Sequence, residues 1–107
     1  MTDSEFEALA SAALGRIEQA LEDSGVDADV QSKSGGVLEI EFDNGSKMII
    51  NRHAAAREIW VAAPSGGFHF RHDGRAWRDT RDGTELFDAV SRLASQQGGA
   101  PVTLRSA

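Results

Sequence analysis

Apolar residues recur every three to four positions at the start of the chain, every second position through its middle, and every three to four again near its end. Phe6, Leu9, Ala10, Ala13, Leu14, Ile17, Ala20 and Leu21 form the first stripe and predict a helix over 4–24. Its ends are marked. Ser4 with Glu7 three residues later makes a capping box, Thr2 with Glu5 offers an alternative, and Gly25 suits the left-handed residue that closes a helix. From 30 to 79 the period is two and the turns are Gly-rich, which predicts an antiparallel meander of about five strands.

Gly35-Gly36 closes the first hairpin. For the second, a two-residue Asn44-Gly45 turn sets Glu41 opposite Met48. A three-residue Asp43-Asn44-Gly45 loop, with Gly45 left-handed, pairs Ile40 with Met48 and Glu41 with Lys47. The second register is preferred, because it sorts Leu38, Ile40, Phe42, Met48 and Ile50 onto one face and Glu39, Glu41, Lys47, Ile49 and Asn51 onto the other. Strands over 58–62, 67–72 and 75–79 follow. A second helix has Thr84 as N-cap and Leu86, Phe87, Val90, Leu93 and Ala94 as its apolar stripe, and it stops at Gly98-Gly99. Val102-Thr103-Leu104 is apolar enough to pack as a short extension. The expected fold is α+β, a two-layer sandwich with two helices on one face of an antiparallel meander sheet, in one domain over 1–107.

Charge changes the picture. Residues 1–43 hold eleven of the seventeen carboxylates against two cations, Arg16 and Lys33, so this part carries −9 and the remainder +3. Such a field attracts hard cations and basic protein surfaces and repels nucleic acid and anionic membranes. Without cysteine, disulfides, thiolate metal sites and thiol nucleophiles are excluded. The acidic N-terminus is unlike a signal or transit peptide, and no apolar run reaches the length of a membrane span, which points to a cytoplasmic protein.

At about 100° per residue, Asp3, Glu7, Glu18 and Glu22 fall in one stripe beside the apolar face, and Asp23, Asp27 and Asp29 continue it into the first strand. Like charges at i,i+4 carry a standing cost that a counter-ion or basic partner relieves; a merely solvated helix face is the alternative. Oxygen-only ligands select Fe, Mn, Mg or Ca, and carboxylates on a convex surface bind them weakly and at several sites. On the sheet, Ile59 and Val61 claim the core. Trp60 and Asn51 are thereby left on the solvent face near Ile49, a composition suited to protein binding. Trp77 reads as packing, and His53, His69 and His72 share no metal-ligand spacing, although parity allows His69 to join the sheet face. No phosphate loop, nucleophile elbow or organic-cofactor motif is present.

Six stretches in this order resemble the bacterial, CyaY-type frataxin family. They are Asp3-Ser4-Glu5-Phe6, Gly36-Val37-Leu38-Glu39-Ile40, Asn44-Gly45-Ser46-Lys47-Met48-Ile49-Ile50-Asn51-Arg52, Ile59-Trp60-Val61-Ala62, Gly66-Gly67-Phe68-His69-Phe70, and Trp77 followed by Asp82-Gly83-Thr84-Glu85-Leu86-Phe87. The resemblance implies a helix–meander–helix fold, weak binding of Fe²⁺ or Fe³⁺, and a role in iron–sulfur cluster assembly as iron donor or regulator, by docking on a cysteine desulfurase and its scaffold protein. It implies a monomer that metal could drive into oligomers. The family's acidic ridge maps to Asp3, Glu7, Glu18, Glu22, Asp23, Asp27 and Asp29, and its sheet contact surface to Asn51 and Trp60, with Glu18 and Glu22 also facing partners. His53 stands where the family usually has Gln, Ala54-Ala55 lacks its usual Pro, and Gln19 and Gln31 replace ridge carboxylates. A ferroxidase that oxidises Fe²⁺ on the acidic surface and a metal-independent acidic adaptor are the competing readings.

Overall fold

A computed structural model describes residues 1–105. The first helix, α1 (Asp3–Ser24), is capped by Thr2, in extended geometry, and not by Ser4 as the first of the two expected boxes had it. Thr2 Oγ1 accepts the Glu5 N–H at 3.1 Å, and Glu5 Oε1 accepts the Thr2 N–H at 2.8 Å. These bonds from Thr2 hold the Glu5 carboxyl below its ordinary value. Capping by Thr2 lengthens α1 by one residue and releases Glu7 from capping. At the far end Gly25 is left-handed, with φ 72°.

Six strands follow, β1 (Ala28–Lys33), β2 (Val37–Phe42), β3 (Lys47–His53), β4 (Glu58–Ala63), β5 (Gly66–His72) and β6 (Trp77–Asp79), paired antiparallel in sequence order. The three-residue loop is the one formed. Ile40 faces Met48, Glu41 faces Lys47, and Gly45 has φ 85°. β1 begins two residues before the expected start, because the Asp43 N–H donates to the Asp27 carbonyl and extends the β1–β2 ladder past Val30. The loop is fastened to the neighbouring Gln97 by Asn44, whose Nδ2 donates to the Gln97 carbonyl at 2.7 Å.

The second helix, α2 (Leu86–Gly98), takes Glu85 as N-cap and not Thr84. The Thr84 carbonyl accepts the Asp79 N–H at 2.8 Å and is held in the turn, so capping passes to the Glu85 carboxylate, which accepts the Phe87 and Asp88 N–H groups. Gly99 ends α2 in the left-handed region. Both helices lie on one face of the sheet, where Leu38, Ile40, Phe42, Met48, Ile50, Ile59, Val61 and Phe70 meet Phe6, Ile17 and Leu21 of α1 and Leu86, Val90 and Leu93 of α2. Each such side chain contributes about 1.5–3 kcal/mol by leaving water. Trp77 is buried as expected, edge-on to Phe6 at 6.0 Å. Val102 and Leu104 complete the core, their N–H groups accepted by Ser95 and Ser91 hydroxyls. Among the described residues no layer covers the opposite face of the sheet, so its side chains and the exposed side of α1 carry the chemistry.

Candidate functional site

The acidic stripe divides into two parts. At the start of α1, Asp3 accepts Arg57 Nη2 at 2.8 Å, while the same guanidinium also donates to the Met1 carbonyl. One turn later Glu7 sits 3.4 Å from Arg52, which also donates to Ser11 Oγ at 3.1 Å. Arg52 is held beneath the β1–β2 turn, where a Cβ on Gly36 would come within 2.5 Å of its side chain. The β3–β4 region thus places a cation against each of the first two carboxylates.

Further along, the carboxylates have no such partner. Glu18 is half-buried and lines a groove of about 370 Å³ between α1 and the β1–β2 hairpin, a groove that Lys33 and Arg52 also line, each paired with another carboxylate and neither in ion-pair contact with Glu18. Glu22, Asp23, Asp27 and Asp29 are exposed. Asp27, Asp29, Glu41 and Asp43 line a second groove, of about 440 Å³, at the end of β1 and β2. Asp29 and Glu41 are directly opposite across the two strands, a like-charge pairing that destabilises a sheet. Among the described residues no Lys or Arg lies within ion-pair reach of Glu18, Glu22, Asp23, Asp27, Asp29, Glu41 or Asp43. Gln19 and Gln31 are amide donors to this set, to Asp23 at 2.9 Å and Asp29 at 3.2 Å. Among the described residues no three His, Asp or Glu side chains converge enough to enclose an ion. The arrangement offers paired or single carboxylate oxygens to a hydrated hard cation.

The outer face of the sheet is organised differently. Asn51, Trp60 and His69 are consecutive partners across β3, β4 and β5, which puts all three on the uncovered face as parity required. Trp60 is half-buried there, its indole stacked between His53 (3.8 Å between centroids, 10° between planes) and His69 (4.4 Å, 11°). Glu58, with a side chain only 8% exposed, accepts Trp60 Nε1–H at 2.8 Å and Arg71 Nη2 at 2.7 Å, and lies 3.7 Å from His69 Nδ1. Burial alone would raise the Glu58 carboxyl, but the hydrogen bonds from Trp60 and Arg71 outweigh it and hold it below its ordinary value. Glu39 is clamped by Lys33 and Lys47, and those hydrogen bonds bring it down to about 2. His72 belongs elsewhere, edge-on to Trp77 at 5.1 Å with its Nδ1 accepting the Gly74 N–H.

Glu58 and Arg71 escaped the sequence reading. Glu58 shares the parity of Trp60, and pairing β3 with β4 sets it opposite His53, so the register, had it been fixed, would have exposed the cluster.

A family model described as the frataxin-like domain matches residues 1–100. The chain belongs to the frataxin family. A curated relative from Dechloromonas aromatica, the iron-sulfur cluster assembly protein CyaY, is 60% identical over 105 residues, covering 98% of this chain and all of that protein. The frataxin of Psychromonas ingrahamii, 34% identical, superposes with a TM-score of 0.88 over 96% of this chain and 97% of that one. Trimeric yeast frataxin, solved with ferrous iron, is 23% identical with a TM-score of 0.58 over 91% of this chain and 85% of its own, and shares the fold. As a frataxin this chain keeps the helix–meander–helix order, with His53 at the rim of the Trp60 surface.

Proposed function

We propose that this frataxin is a non-enzymatic, iron-binding protein of iron–sulfur cluster assembly, a single domain over 1–107 in the cytoplasm, which regulates a cysteine desulfurase and its scaffold protein and carries iron to them. The observation that carries the reading is the segregation of charge. Glu18, Glu22, Asp23, Asp27 and Asp29, with Glu41 and Asp43 beside them, have no Lys or Arg in ion-pair contact among the described residues, whereas Asp3, Glu7, Glu39, Glu58, Asp73 and Asp82 are tied to Arg, Lys or turn N–H groups. Unpaired exposed carboxylates bind hard cations weakly and dock on basic protein surfaces. Relatives named for iron–sulfur cluster assembly and the yeast homologue solved with ferrous iron support the same direction.

Binding is favoured over iron oxidation because no three His, Asp or Glu side chains among the described residues converge on one point. Asn51 and Trp60 are the scaffold-facing contact, while Glu18 and Glu22 face the desulfurase. Asp3 and Glu7, already paired with Arg57 and Arg52, are the weak end of the metal set.

An anaerobic titration with Mn²⁺ or Fe²⁺, followed by NMR line broadening, tests this. Glu18, Glu22, Asp23, Asp27 and Asp29 should broaden first, and Asp3 and Glu7 only at higher metal. Tight stoichiometric Zn²⁺ binding through His69 or His72, or broadening that starts at Asp3, would overturn the assignment. Oxygen uptake on adding Fe²⁺ in air, beyond that of buffer, would favour the ferroxidase. Desulfurase binding that survives charge reversal of Glu18 and Glu22 would remove the docking role.

A further inference from the structure

The two edges of the sheet are finished in different ways. At the β6 edge the strand is only three residues long, and its own chain covers it. Arg78 bridges to Glu85, and the Asp79 N–H donates to the Thr84 carbonyl. At the opposite edge lies β1, six residues long, paired on one side only. The Asp43 N–H bond to the Asp27 carbonyl fixes the phase of the β1–β2 ladder, so Asp29, Gln31 and Lys33 turn their backbone groups toward β2. Val30 and Ser32 therefore direct N–H and C=O away from the sheet, and among the described residues no group outside it reaches them. An open edge of this kind is a template for another strand.

We infer that the β1 edge accepts an extended, basic segment of a partner protein by strand addition, the backbone groups of Val30 and Ser32 supplying affinity and the surrounding carboxylates choosing the partner. The inference rests on the docking reading and gives it a geometry. The open edge carries the proposal, and charge selects the occupant. Asp29 projects on the outer face, where it already opposes Glu41, and a Lys or Arg opposite Asp29 on an added strand relieves that pair. Asp27 and Asp43 continue the negative groove beyond the strand end. At the other end Lys33 is held by Glu39, so the basic residues belong at the Asp29 end. A second copy of this chain is disfavoured, because it would bring another −6 charge to the same edge.

The test uses a nine-residue peptide of alternating Lys and Val with blocked ends, and the same peptide N-methylated at every second residue, which keeps the charge but removes one edge's donors. Strand addition predicts that the unmodified peptide slows amide exchange of Val30 and Ser32 at least tenfold and that methylation weakens binding at least tenfold. Ser32→Pro, which removes an outward N–H while leaving every carboxylate in place, should weaken the peptide by a similar factor once its unfolding curve shows the fold intact. Equal binding of both peptides with unchanged exchange at Val30 and Ser32 would overturn the proposal. If Glu18→Lys with Glu22→Lys then still abolishes desulfurase binding, the docking reading survives its loss. Slow, concentration-dependent exchange of both amides in the protein alone would also overturn it, in favour of a second copy.

Discussion

The sheet's outer face and the α1–β1 edge are both rich in carboxylates, and they use them in opposite ways. On the face, Glu39 sits between two lysines and Glu58 is buried under an indole N–H and a guanidinium. At the edge, Asp29 opposes Glu41, and Glu22 lies in the last turns of a helix whose final turn has no basic residue. Charges of the first kind are spent within the fold, where they fix the position of Trp60 and the pairing of β2 with its neighbours. Those of the second kind raise the energy of the isolated protein slightly and are available to a ligand. Net charge alone conceals this division.

Removing Glu58 gives the largest effect. Glu58→Ala leaves the Trp60 N–H and the Arg71 guanidinium without their acceptor, which should cost about 2–3 kcal/mol by urea unfolding at pH 7. Exposed Glu22→Ala should stay within about 0.5 kcal/mol of the parent. Equal stabilities for the two variants would erase the distinction between face and edge.

Trp60→Arg comes next. The indole loses two ring contacts, each worth about 0.5–1.5 kcal/mol, so the melting temperature should fall by several degrees. Binding to the scaffold or desulfurase complex should weaken by about 2 kcal/mol. A stability loss with unchanged binding, read by calorimetry on the same samples, would make Trp60 a structural residue only.

These two cases also show what a sequence can and cannot reveal. Alternation placed Trp60 and Asn51 on the bare face and Ile59 and Val61 in the core, and the apolar sorting across Asn44-Gly45 chose the β2–β3 register. Both follow from period and volume, which are local properties. The His53–Trp60–His69 stack and the Glu58 cluster need the registers of three strands at once, and no local pattern supplies those. Likewise the helical stripe located Asp3 and Glu7, but their partners Arg57 and Arg52 come from 54 and 45 residues away, as β3 and the β3–β4 turn pass under α1. Both cap assignments moved by one or two residues because Thr2 and Glu85 compete with neighbours of similar chemistry.

Acid separates the regions by a third route. The Glu39 carboxyl lies near 2, well below its ordinary 4.5. Its stabilising contribution is therefore complete above about pH 4.5 and is lost as pH falls toward 2. Glu39→Gln should lower stability at pH 7 and flatten the decline between pH 4.5 and 2, measured by urea midpoints across that window. An unchanged slope would mean that Lys33 and Lys47 do not hold this carboxylate in solution.

The smallest effect has the opposite sign and bears most directly on the edge. Glu18 and Glu22 are an i,i+4 like-charge pair in the C-terminal half of α1, where the helix dipole disfavours anions and no last-turn cation offsets them. Glu18→Gln with Glu22→Gln should therefore stabilise the free protein, by about 0.5 kcal/mol at low ionic strength. The gain should shrink in 1 M salt, where the screening length falls to about 3 Å. The same double variant should require more Mn²⁺ to broaden Asp23 and Asp27, since the acidic stripe has lost two of its negative charges. Gained stability with weakened metal response is the joint signature of carboxylates kept for a ligand at the fold's expense. A loss of stability would instead mean that Glu18, half-buried in the groove it shares with Arg52, serves the packing of α1 on the hairpin. The edge would then begin at Glu22.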